Sequence, residues 1–597
     1  MLEIYANNGK IDLPEDVEVT CTWENPFFIQ DKLPILYSIN FNIPPSPGNL
    51  SLFKHPNRLT SVGAWNDVNA CLRYNGLNFS TGKLVISDVE NNMNANYVGM
   101  VINYQMKKKL SELNSIEDFL YQFGDGFEFD FYSGGWANIY KNTIITNLKD
   151  VGNKFAACPI RVKDESWEGR VEGLFEDYNL KLNRGYLNPW NVNAGNFLFT
   201  DASEVFHGII YPQPYIHYLL SQIFGTALND NFFNSNNELK TLALITSFHK
   251  NFSYYIIMEN NGVLREDYDT TNLNHLLLSS FMPRYDFNEL LKNILKIFCC
   301  TFINRQDGKV DIVHNQEIID STDIVDWTDK LVGTPVISFE QARVYNSGYQ
   351  SETPVSAAEY PLTRPDIDSL VDEATTKNIY RIQNTGESYE KKLKDAAVPD
   401  IYMYERKASN LGANPSTAND TQESYDMISS VKPIPMTVDE YWWQGENPTK
   451  FPWYIPEFPG DRFKNDEAPY IGFNRGFYDF VNNETLAAPD PGWDFTNSYP
   501  FMTPYNRDMS GNRIGEYSLA WEGSDGLLSK FHSGFKSYIE SGKHVLKGDF
   551  NLTEFDLKAL SPKKKYMVRG MLFYYVKVET TLKVDAISIS RVELREA

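Results

Sequence analysis

The sequence is poor in the residues that build disulfide frameworks and metal centres. Its 597 residues include five cysteines and eight histidines. The cysteine count is odd and no CxxC pair occurs, so we expect reduced, mostly buried thiols rather than a disulfide framework or a zinc site. The histidines form no HxxxH or HxH pair, which leaves only a metal site assembled by the fold, and nothing in the sequence supports one. We therefore expect no cofactor.

Long apolar runs are also missing. No stretch approaches the about 18 uninterrupted apolar residues of a transmembrane helix. The N-terminal sequence MLEIYANNGKIDLPEDVEV contains no basic region followed by an apolar run, so it does not resemble a secretory signal. We expect a protein without a membrane span that is made in a cytoplasm.

Positive charge is scarce. The chain has 55 Lys and Arg against 78 Asp and Glu, a formal net charge of −23. Duplex binding requires clustered cations that replace counterions on the phosphates, so the composition argues against a protein that grips nucleic acid. It does not argue against a protein past which nucleic acid slides. The simpler alternative is that the acidic residues keep a large surface soluble.

Catalytic motifs are missing as well. The sequence has no GxxxxGK[ST] loop, no GxGxxG after a strand, no HExxH and no GxSxG. The glycine-rich stretch 124–130 is acidic and would repel phosphate, so it predicts a turn and a strand. Pairs such as Glu128/Asp130 or Asp366/Asp368 suit a glycosidase. With 78 acidic residues, however, such pairs are expected by chance. We predict that the protein is not an enzyme.

What the chain does have is length, aromatic residues and strand patterns. It is 42% hydrophobic and 14% aromatic, and too long for one core, so we expect three to five domains of about 100–200 residues. The predicted fold class is β-rich α+β, with two barrel-like antiparallel β domains flanking mixed α/β and irregular domains. The predicted units are an N-terminal barrel-like domain (1–110), a mixed α/β domain (111–275), a helix plus hairpin (276–350), an irregular aromatic- and proline-rich insertion (351–515) and a C-terminal β domain (516–597).

Hydrophobic periodicity supports the two ends and the centre of this division. The segments 17–23 and 35–43 alternate apolar and polar residues, which is typical of half-buried strands. Asp286–Phe298 has apolar residues at helical spacing, with Asp286 and Glu289 as a capping pair. The Asp307-Gly308 dipeptide predicts a hairpin. Near the C-terminus, the patterns predict a helix over 527–539 and strands over 546–552, 566–578 and 582–589.

Trp442, Trp443 and Trp453 form the most prominent aromatic cluster. They lie among many prolines, which argue against regular interior strands and for an irregular lobe. Exposed tryptophan rings stack on sugars or anchor a partner protein. The alternative is that these rings build the core of a lobe that lacks regular structure.

Both ends of the chain resemble the baseplate hub, or tail-associated, proteins of tailed bacteriophages and prophages, particularly those of Bacteroidetes hosts. The N-terminal resemblance lies in residues 13–19, 24–28, 38–44, 47–50 and 53–59. The C-terminal resemblance lies in residues 525–527, Phe531, Phe535, 546–552 and 565–566. A looser likeness includes the helix at 287–298, the Asp307-Gly308 hairpin, residues 326–328 and Leu331. Together these regions cover about half of the chain, whereas residues 351–515 resemble nothing specific.

This resemblance implies a virion structural protein at the tail tip. It implies two barrel-like domains per subunit, so that a homotrimer forms a pseudo-sixfold ring beneath the tail tube; the sequence also allows a hexamer. The implied partners are the tail tube or distal tail protein and other baseplate or tail-tip proteins, and DNA passes without specific binding. The implied location is the virion, after assembly in the bacterial host cytoplasm.

Two other functions stay open. One is a carbohydrate-binding or receptor-binding tail protein, suggested by Trp442, Trp443 and Trp453. The other is a glycoside hydrolase, or a glycan-binding outer-membrane lipoprotein. The lipoprotein conflicts with the missing signal, and the hydrolase lacks a locatable carboxylate pair.

Overall fold

A computed structural model describes both ends of the chain and much of its middle. The described residues are 1–29, 36–60, 68–99, 108–113, 155–162, 186–197, 212–246, 256–265, 282–350, 370–393, 402–406, 424–458, 468–479, 498–508 and 512–597, with gaps at 8, 39–40, 59, 91, 189, 192–195, 260–261, 306, 375–378, 383–387, 444–448 and 522.

Strands dominate the described residues. The N-terminal strands are β1 (Leu2–Ala6), β2 (Gly9–Lys10), β3 (Glu18–Glu24), β4 (Leu36–Ser38), β5 (Phe41–Ile43), β6 (Val68–Tyr74), β7 (Leu77–Val89) and β8 (Met93–Gly99). The next are β9 (Phe155–Ala156), β10 (Ile160–Val162), β11 (Tyr186–Leu187), β12 (Trp190–Asn191), β13 (Asn196–Phe197), β14 (Gln213–Pro214), β15 (Leu228–Asn231), β16 (Leu242–Ile245), β17 (Ile256–Glu259), β18 (Gly262–Arg265), β19 (Cys300–Asn304), β20 (Val310–His314), β21 (Ile324–Asp326) and β22 (Leu331–Glu340).

The remaining strands follow in chain order. They are β23 (Val344–Tyr349), β24 (Leu370–Ala374), β25 (Ile379–Ile382), β26 (Ser388–Leu393), β27 (Tyr402–Arg406), β28 (Ser424–Ser429), β29 (Lys432–Pro433), β30 (Met436–Trp443), β31 (Thr449–Phe458), β32 (Tyr470–Asp479), β33 (Ser498–Thr503), β34 (Lys543–Phe550), β35 (Lys565–Val568), β36 (Met571–Lys583) and β37 (Ser590–Glu596).

The helices of the described residues are short. They are α1 (Pro47–Leu52), α2 (Ile216–Phe224), α3 (Asn237–Lys240), α4 (Phe287–Ile297), α5 (Asn315–Ile319), α6 (Ser533–Ile539) and α7 (Glu554–Lys558), and a π-helical turn (Leu528–His532) leads into α6. The strands and these few helices confirm the predicted β-rich α+β class.

The two ends of the chain meet in one sheet. A 14-stranded sheet runs in the order β2-β1-β6-β7-β8-β4-β3-β36-β37-β34-β22, with β5, β21 and β35 attached to it. Strands β1–β8 form one half-barrel, and β34–β37 with β21 and β22 form the other. The antiparallel pair β3·β36 joins them, with Glu18 opposite Lys583 and Glu24 opposite Lys577. The two predicted β units are therefore two half-barrels of one continuous sheet.

The half-barrels also share a core. Apolar side chains of β1, β3, β6, β7 and β8 pack in the same cluster as those of β34–β37. Trp327, 1% exposed, is the largest fully buried side chain among the described residues, and its ring lies 4.2 Å from that of Tyr566 and 5.8 Å from that of Phe550. The burial of the strand residues in this core follows from their period-two alternation, because one face of each strand turns inwards.

The helix and hairpin predicted at the centre are both present. Helix α4 buries its apolar stripe, and β19 pairs with β20 in antiparallel register. The predicted capping pair does not form, since the Asp286 side chain makes no cap hydrogen bond. Instead its carboxylate lies 3.0 Å from the Lys109 ammonium. An ion pair has replaced the cap.

Two C-terminal strand predictions were wrong in detail. The segment 566–578 is not one strand, because Arg569 and Gly570 both have positive φ and form the turn between β35 and β36. The segment 582–589 is mostly the next turn, in which the Lys583 N–H donates to the Ala586 carbonyl, and the following strand is β37. Apolar residues flank both turns closely, so periodicity alone did not reveal them.

The tryptophan-rich segment also differs from expectation. The strands β30 and β31 pair over eight residues, from Met436 opposite Pro456 to Trp443 opposite Thr449. Pro452 and Pro456 are four residues apart, so both missing N–H groups face the same side of β31. Prolines placed in this way interrupt one edge only and leave the pairing on the other edge intact. The domain boundaries predicted from the sequence stay a prediction.

Candidate interaction surfaces

The joint between the half-barrels is built on β3 and β36. Val19, Cys21 and Trp23 alternate towards the core and are at most 7% exposed. On the other face, the Thr20 and Thr581 hydroxyls lie 2.8 Å apart. At the rim, the Lys583 ammonium lies 2.6 Å from the Glu18 carboxylate. The joint therefore combines an apolar inner face with polar cross-strand pairs.

The chain that leaves β3 ties this joint to the central core. The fully buried Asn25 donates from Nδ2 to the Tyr575 carbonyl at 2.7 Å and accepts from the Phe27 N–H at 3.0 Å. The Phe27 ring has four aromatic neighbours with centroids 5.1–5.6 Å away: Phe28, Phe535, Tyr538 and Tyr574. Two of them belong to α6. This cluster fixes the joint against α6.

The opposite end of the sheet is open. Among the described strands, β22 pairs only with β34. Its side chains Val336, Ile337 and Phe339 are 67%, 62% and 60% exposed. The register breaks between Val332 and Val336, where Gly333 has a φ of +73°. Beyond that bulge, β22 is an apolar strand with exposed side chains on both faces, and no described strand pairs with its second edge.

A cleft of about 590 Å³ opens beside this strand, between β22, β34, β36 and β37. The Arg595 side chain at its wall is 4% exposed and lies 3.4 Å, through Nε, from the Glu340 carboxylate. Among the described residues, Arg595 Nε and Nη2 have no hydrogen-bond partner. The Glu340 carboxylate also pairs with Arg343. One carboxylate thus serves two guanidinium groups.

A second cleft, of about 500 Å³, lies where the N-terminal half-barrel meets the hairpin β19–β20 and the segment 558–564. Asn229 donates to the buried Asp311 carboxylate at 2.8 Å, and Arg305 lies 3.8 Å from it. The buried Trp23 Nε1 has no hydrogen-bond partner among the described residues. The charged groups here mostly neutralise one another, so the cleft shows no selectivity for a ligand of one charge.

Among the described histidines, His532 has the most strongly lowered pKa, and it is a packing residue. His532 is fully buried, with Nε2 2.8 Å from the Ile297 carbonyl and Nδ1 2.6 Å from the Tyr345 hydroxyl. The carbonyl can only accept, so Nε2 carries the proton and Nδ1 accepts from Tyr345. Burial lowers the pKa of His532 to about 3. The imidazole is neutral and both of its nitrogens are used within the fold, so it is not poised as an acid or base.

A buried ion pair between Arg475 and Glu238 is likewise a packing contact. The Arg475 guanidinium lies 2.6 Å from the Glu238 carboxylate and donates to the carbonyls of Tyr505 and Tyr517 at 2.8 and 2.9 Å. Burial lowers the pKa of Arg475, and Glu238 opposes that shift. These contacts hold the loops at Tyr505 and Tyr517 against α3, which carries Glu238.

The structure describes only part of the site residues that were predicted from the sequence. Backbone pairing brings Trp442 opposite Lys450, and Trp453 opposite Asp439, in the β30–β31 hairpin. The side chains of these tryptophans lie outside the described residues, as do the glycine-rich stretch 124–130 and the pair at 366 and 368. The five thiols are free, and all but Cys71 are buried.

Neither the exposed edge of β22 nor the cleft at Arg595 was predicted from the sequence. The sequence signal for β22 is the run Pro335-Val336-Ile337-Ser338-Phe339 after a glycine, which reads like any half-buried strand. Exposure on both faces depends on what lies alongside the strand, and only the fold supplies that information.

Within the described residues, no group of three or more His, Cys, Asp or Glu side chains is placed to hold a metal ion. Over the same residues, no helix combines the length and apolar character needed to cross a membrane.

Comparisons with known proteins give distant structural neighbours. No family model and no curated protein matches the chain. The structure is similar to the tail protein from Neisseria meningitidis MC58 at a TM-score of 0.28 and 6% identity, over 100% of this chain and 96% of that one. It is similar to the 43 kDa tail protein of prophage MuSo2 from Shewanella oneidensis at 0.28 and 6%, over 99% and 95%. At such TM-scores these likenesses assign neither fold nor function to this chain.

Proposed function

We propose that this chain is a structural protein of a bacteriophage tail, placed at the tail tip as a baseplate hub. The observation that carries the proposal is the strand pair β3·β36, which joins two half-barrels into one continuous sheet. The hub proteins that both ends of the sequence resemble place two barrel-like units side by side in each subunit. An intramolecular joint of this kind supplies that arrangement.

A ring of such subunits has a mechanical role. Symmetric closed assembly gives a rim on which a tail tube rests and an opposite side that holds the penetration device. A homotrimer contributes six half-barrel units, which matches a sixfold tube. The partners in this proposal are the tube or distal tail protein and other tail-tip proteins.

The charge of the chain suits a ring through which DNA leaves. A net charge of −23 makes the average surface repel phosphates. DNA therefore passes without specific binding. In this proposal the protein works by shape and attachment rather than by catalysis, consistent with buried polar groups such as His532 and Arg475 that are occupied by packing contacts.

The test is to locate the chain in virions. Purified particles are analysed by mass spectrometry, and particles carrying an epitope-tagged chain are imaged after immunogold labelling. We expect the chain in intact particles with label at the tail tip, while label on a tagged capsid protein serves as the control. A chain absent from virions, or label confined to the head, would overturn the proposal.

The β30–β31 hairpin supports a second candidate, a carbohydrate-binding or receptor-binding tail protein. It gathers Trp442, Trp443 and Trp453 onto two paired strands. Tryptophan rings stack on sugars and anchor protein contacts. The triple alanine variant should then lose glycan binding on an array and keep its thermal unfolding midpoint. Equal binding by variant and wild type would remove this candidate.

A further inference from the structure

The strand β22 extends the apolar inner face of its half-barrel past the end of the core. Ile337 lies opposite Leu546, which is 4% exposed in the shared core, yet Ile337 itself is 62% exposed. Phe339, two residues along on the same face, is 60% exposed. Side chains of core type are therefore left uncovered where the described sheet ends.

The backbone of β22 is uncovered at the same place. Among the described strands, β22 pairs only with β34. Natural proteins blunt such edges with charges, prolines or covering loops. Between Pro335 and Glu340, β22 instead carries Val336-Ile337-Ser338-Phe339. A helix or a flat surface would cover one face of this segment, whereas an added strand covers both and also bonds to the backbone.

The cleft on the other face of β22 contains more cations than carboxylates. Its charged residues are Arg343, Lys547 and Arg595 against Glu340 and Glu593, where Glu340 belongs to β22 itself. Glu340 pairs with both guanidinium groups, and Lys547 pairs with Glu593 at 3.0 Å. Three cations thus face two carboxylates, in a chain whose net charge is −23. The cleft favours an acidic ligand.

Arg595 indicates which group the cleft lacks. Its side chain is 4% exposed, and within the described part of the chain its Nε and Nη2 have no hydrogen-bond partner. These two nitrogens lie on the same side of the guanidinium, and together they suit a bidentate carboxylate. The Glu340 carboxylate is 3.4 Å from Nε but also pairs with Arg343. A further carboxylate that pairs with Arg343 would leave Glu340 to Arg595.

The sheet itself offers no strand of this kind at its other margins. There the described strands are β2, β5 and β21, which are two or three residues long. None of them spans the four residues 336–339. Strand β2 is Gly9–Lys10, which carries a cation instead of a carboxylate. The charge and length of the edge therefore favour a segment of a different protein.

We propose that β22 and the cleft beside it bind an extended acidic segment of a partner protein as an added strand. The segment has apolar residues opposite Ile337 and Phe339, and an Asp or Glu between them, opposite Ser338. The apolar residues complete the inner face, and the carboxylate enters the cleft. This site goes beyond the proposed function, because it is a property of the purified chain.

The test is fluorescence anisotropy of the full-length chain with the labelled synthetic peptide GSTVEVTSG, whose Val-Glu-Val centre has this pattern. The matched peptides are GSTVQVTSG, which lacks the carboxylate, and GSTSESTSG, which lacks the apolar residues. The first peptide should bind saturably. Each matched peptide should bind about tenfold more weakly or worse, because a charge-assisted contact or two buried side chains are lost. Free glutarate should not compete, since it cannot form a strand.

Variants of the chain locate the contact. Ile337→Lys should weaken binding about tenfold or more, because it places a charge on the apolar face. Lys547→Glu should weaken binding of GSTVEVTSG and strengthen binding of GSTVKVTSG, in which the peptide charge is reversed. Phe555→Lys is the matched control, because Phe555 lies on α7 and is 65% exposed, and it should bind like wild type. Unchanged circular dichroism and melting show that the variants fold.

No saturable binding of GSTVEVTSG at millimolar concentration would overturn the proposal. Equal binding of the Glu and Gln peptides, or competition by glutarate, would overturn an acidic strand as the ligand. Equal weakening by Ile337→Lys and Phe555→Lys would show general surface stickiness. Peptide binding that is lost as the chain self-associates would make a second copy the occupant. Localisation in virions is measured separately, so failure of this site is distinguishable from failure of the tail function.

Discussion

Strands β3 and β22 lie in the same sheet, yet apolar side chains are buried in β3 and exposed in β22. In β3, Val19, Cys21 and Trp23 are at most 7% exposed, because β36 lies alongside and the shared core lies beneath. In β22, the adjacent Val336 and Ile337 are 67% and 62% exposed. The two strands have similar residue types, so hydrophobicity alone does not decide burial. The presence of a second neighbouring strand does.

The comparison predicts that stability is concentrated at the joint. Phe27→Ala removes a fully buried ring with four aromatic neighbours, and we expect the free energy of unfolding to fall by about 3–5 kcal/mol. Ile337→Ala on the free edge should change it by about 0.5 kcal/mol or less in the monomer. Urea denaturation measures both. Equal losses would mean that the edge is as structurally committed as the joint.

Acidic pH should lower the free energy of unfolding through the buried His532. His532 precedes α6, and its pKa of about 3 in the fold is below its ordinary 6.5. The unfolded chain therefore takes up a proton that the folded chain refuses, and the free energy of unfolding falls as pH decreases from 6.5 towards 3. The slope from this group is at most about 1.4 kcal/mol per pH unit.

The measurement is denaturant unfolding at several pH values within that window, for wild type and His532→Gln. The variant is less stable at neutral pH, because the hydrogen bonds to Ile297 and Tyr345 are disturbed, but its stability should depend less on pH. Parallel pH profiles for the two proteins would contradict the assignment.

The smallest effect concerns the polar face of the joint. Thr20→Val breaks the 2.8 Å contact with the Thr581 hydroxyl, and we expect a loss of about 0.5–1 kcal/mol. A double-mutant cycle with Thr581→Val isolates the pair. A coupling energy indistinguishable from zero would show that backbone pairing and the inner face carry the joint alone.

Sequence periodicity predicted the elements that have one wet face. The alternation at 17–23 and the helical spacing at 286–298 both correspond to observed elements, because burial of one face leaves a regular imprint on the residues. The turn at Arg569-Gly570 was missed because the apolar alternation of Tyr566 and Val568 resumes in the same phase at Leu572.

No local sequence pattern predicts the joint between β3 and β36. Nothing in the residues of β3 specifies that its neighbour is β36, more than 550 positions away, since Val, Thr and Trp suit many partners. The exposed edge β22 escaped for the same reason, because its pattern matches that of a covered strand. The tryptophan hairpin was misread because the same-side placement of Pro452 and Pro456 matters more than their number.

The β3·β36 pair also has a consequence for synthesis. The Thr20–Thr581 contact spans 561 positions, so β3 is paired on its β4 edge only until β36 has emerged from the ribosome. A product that stops before β36 lacks the partner of β3 and should be digested by protease across residues 1–99. Only a chain translated past residue 583 can form the complete β3·β36 pair, so shorter products lack the joint between the half-barrels.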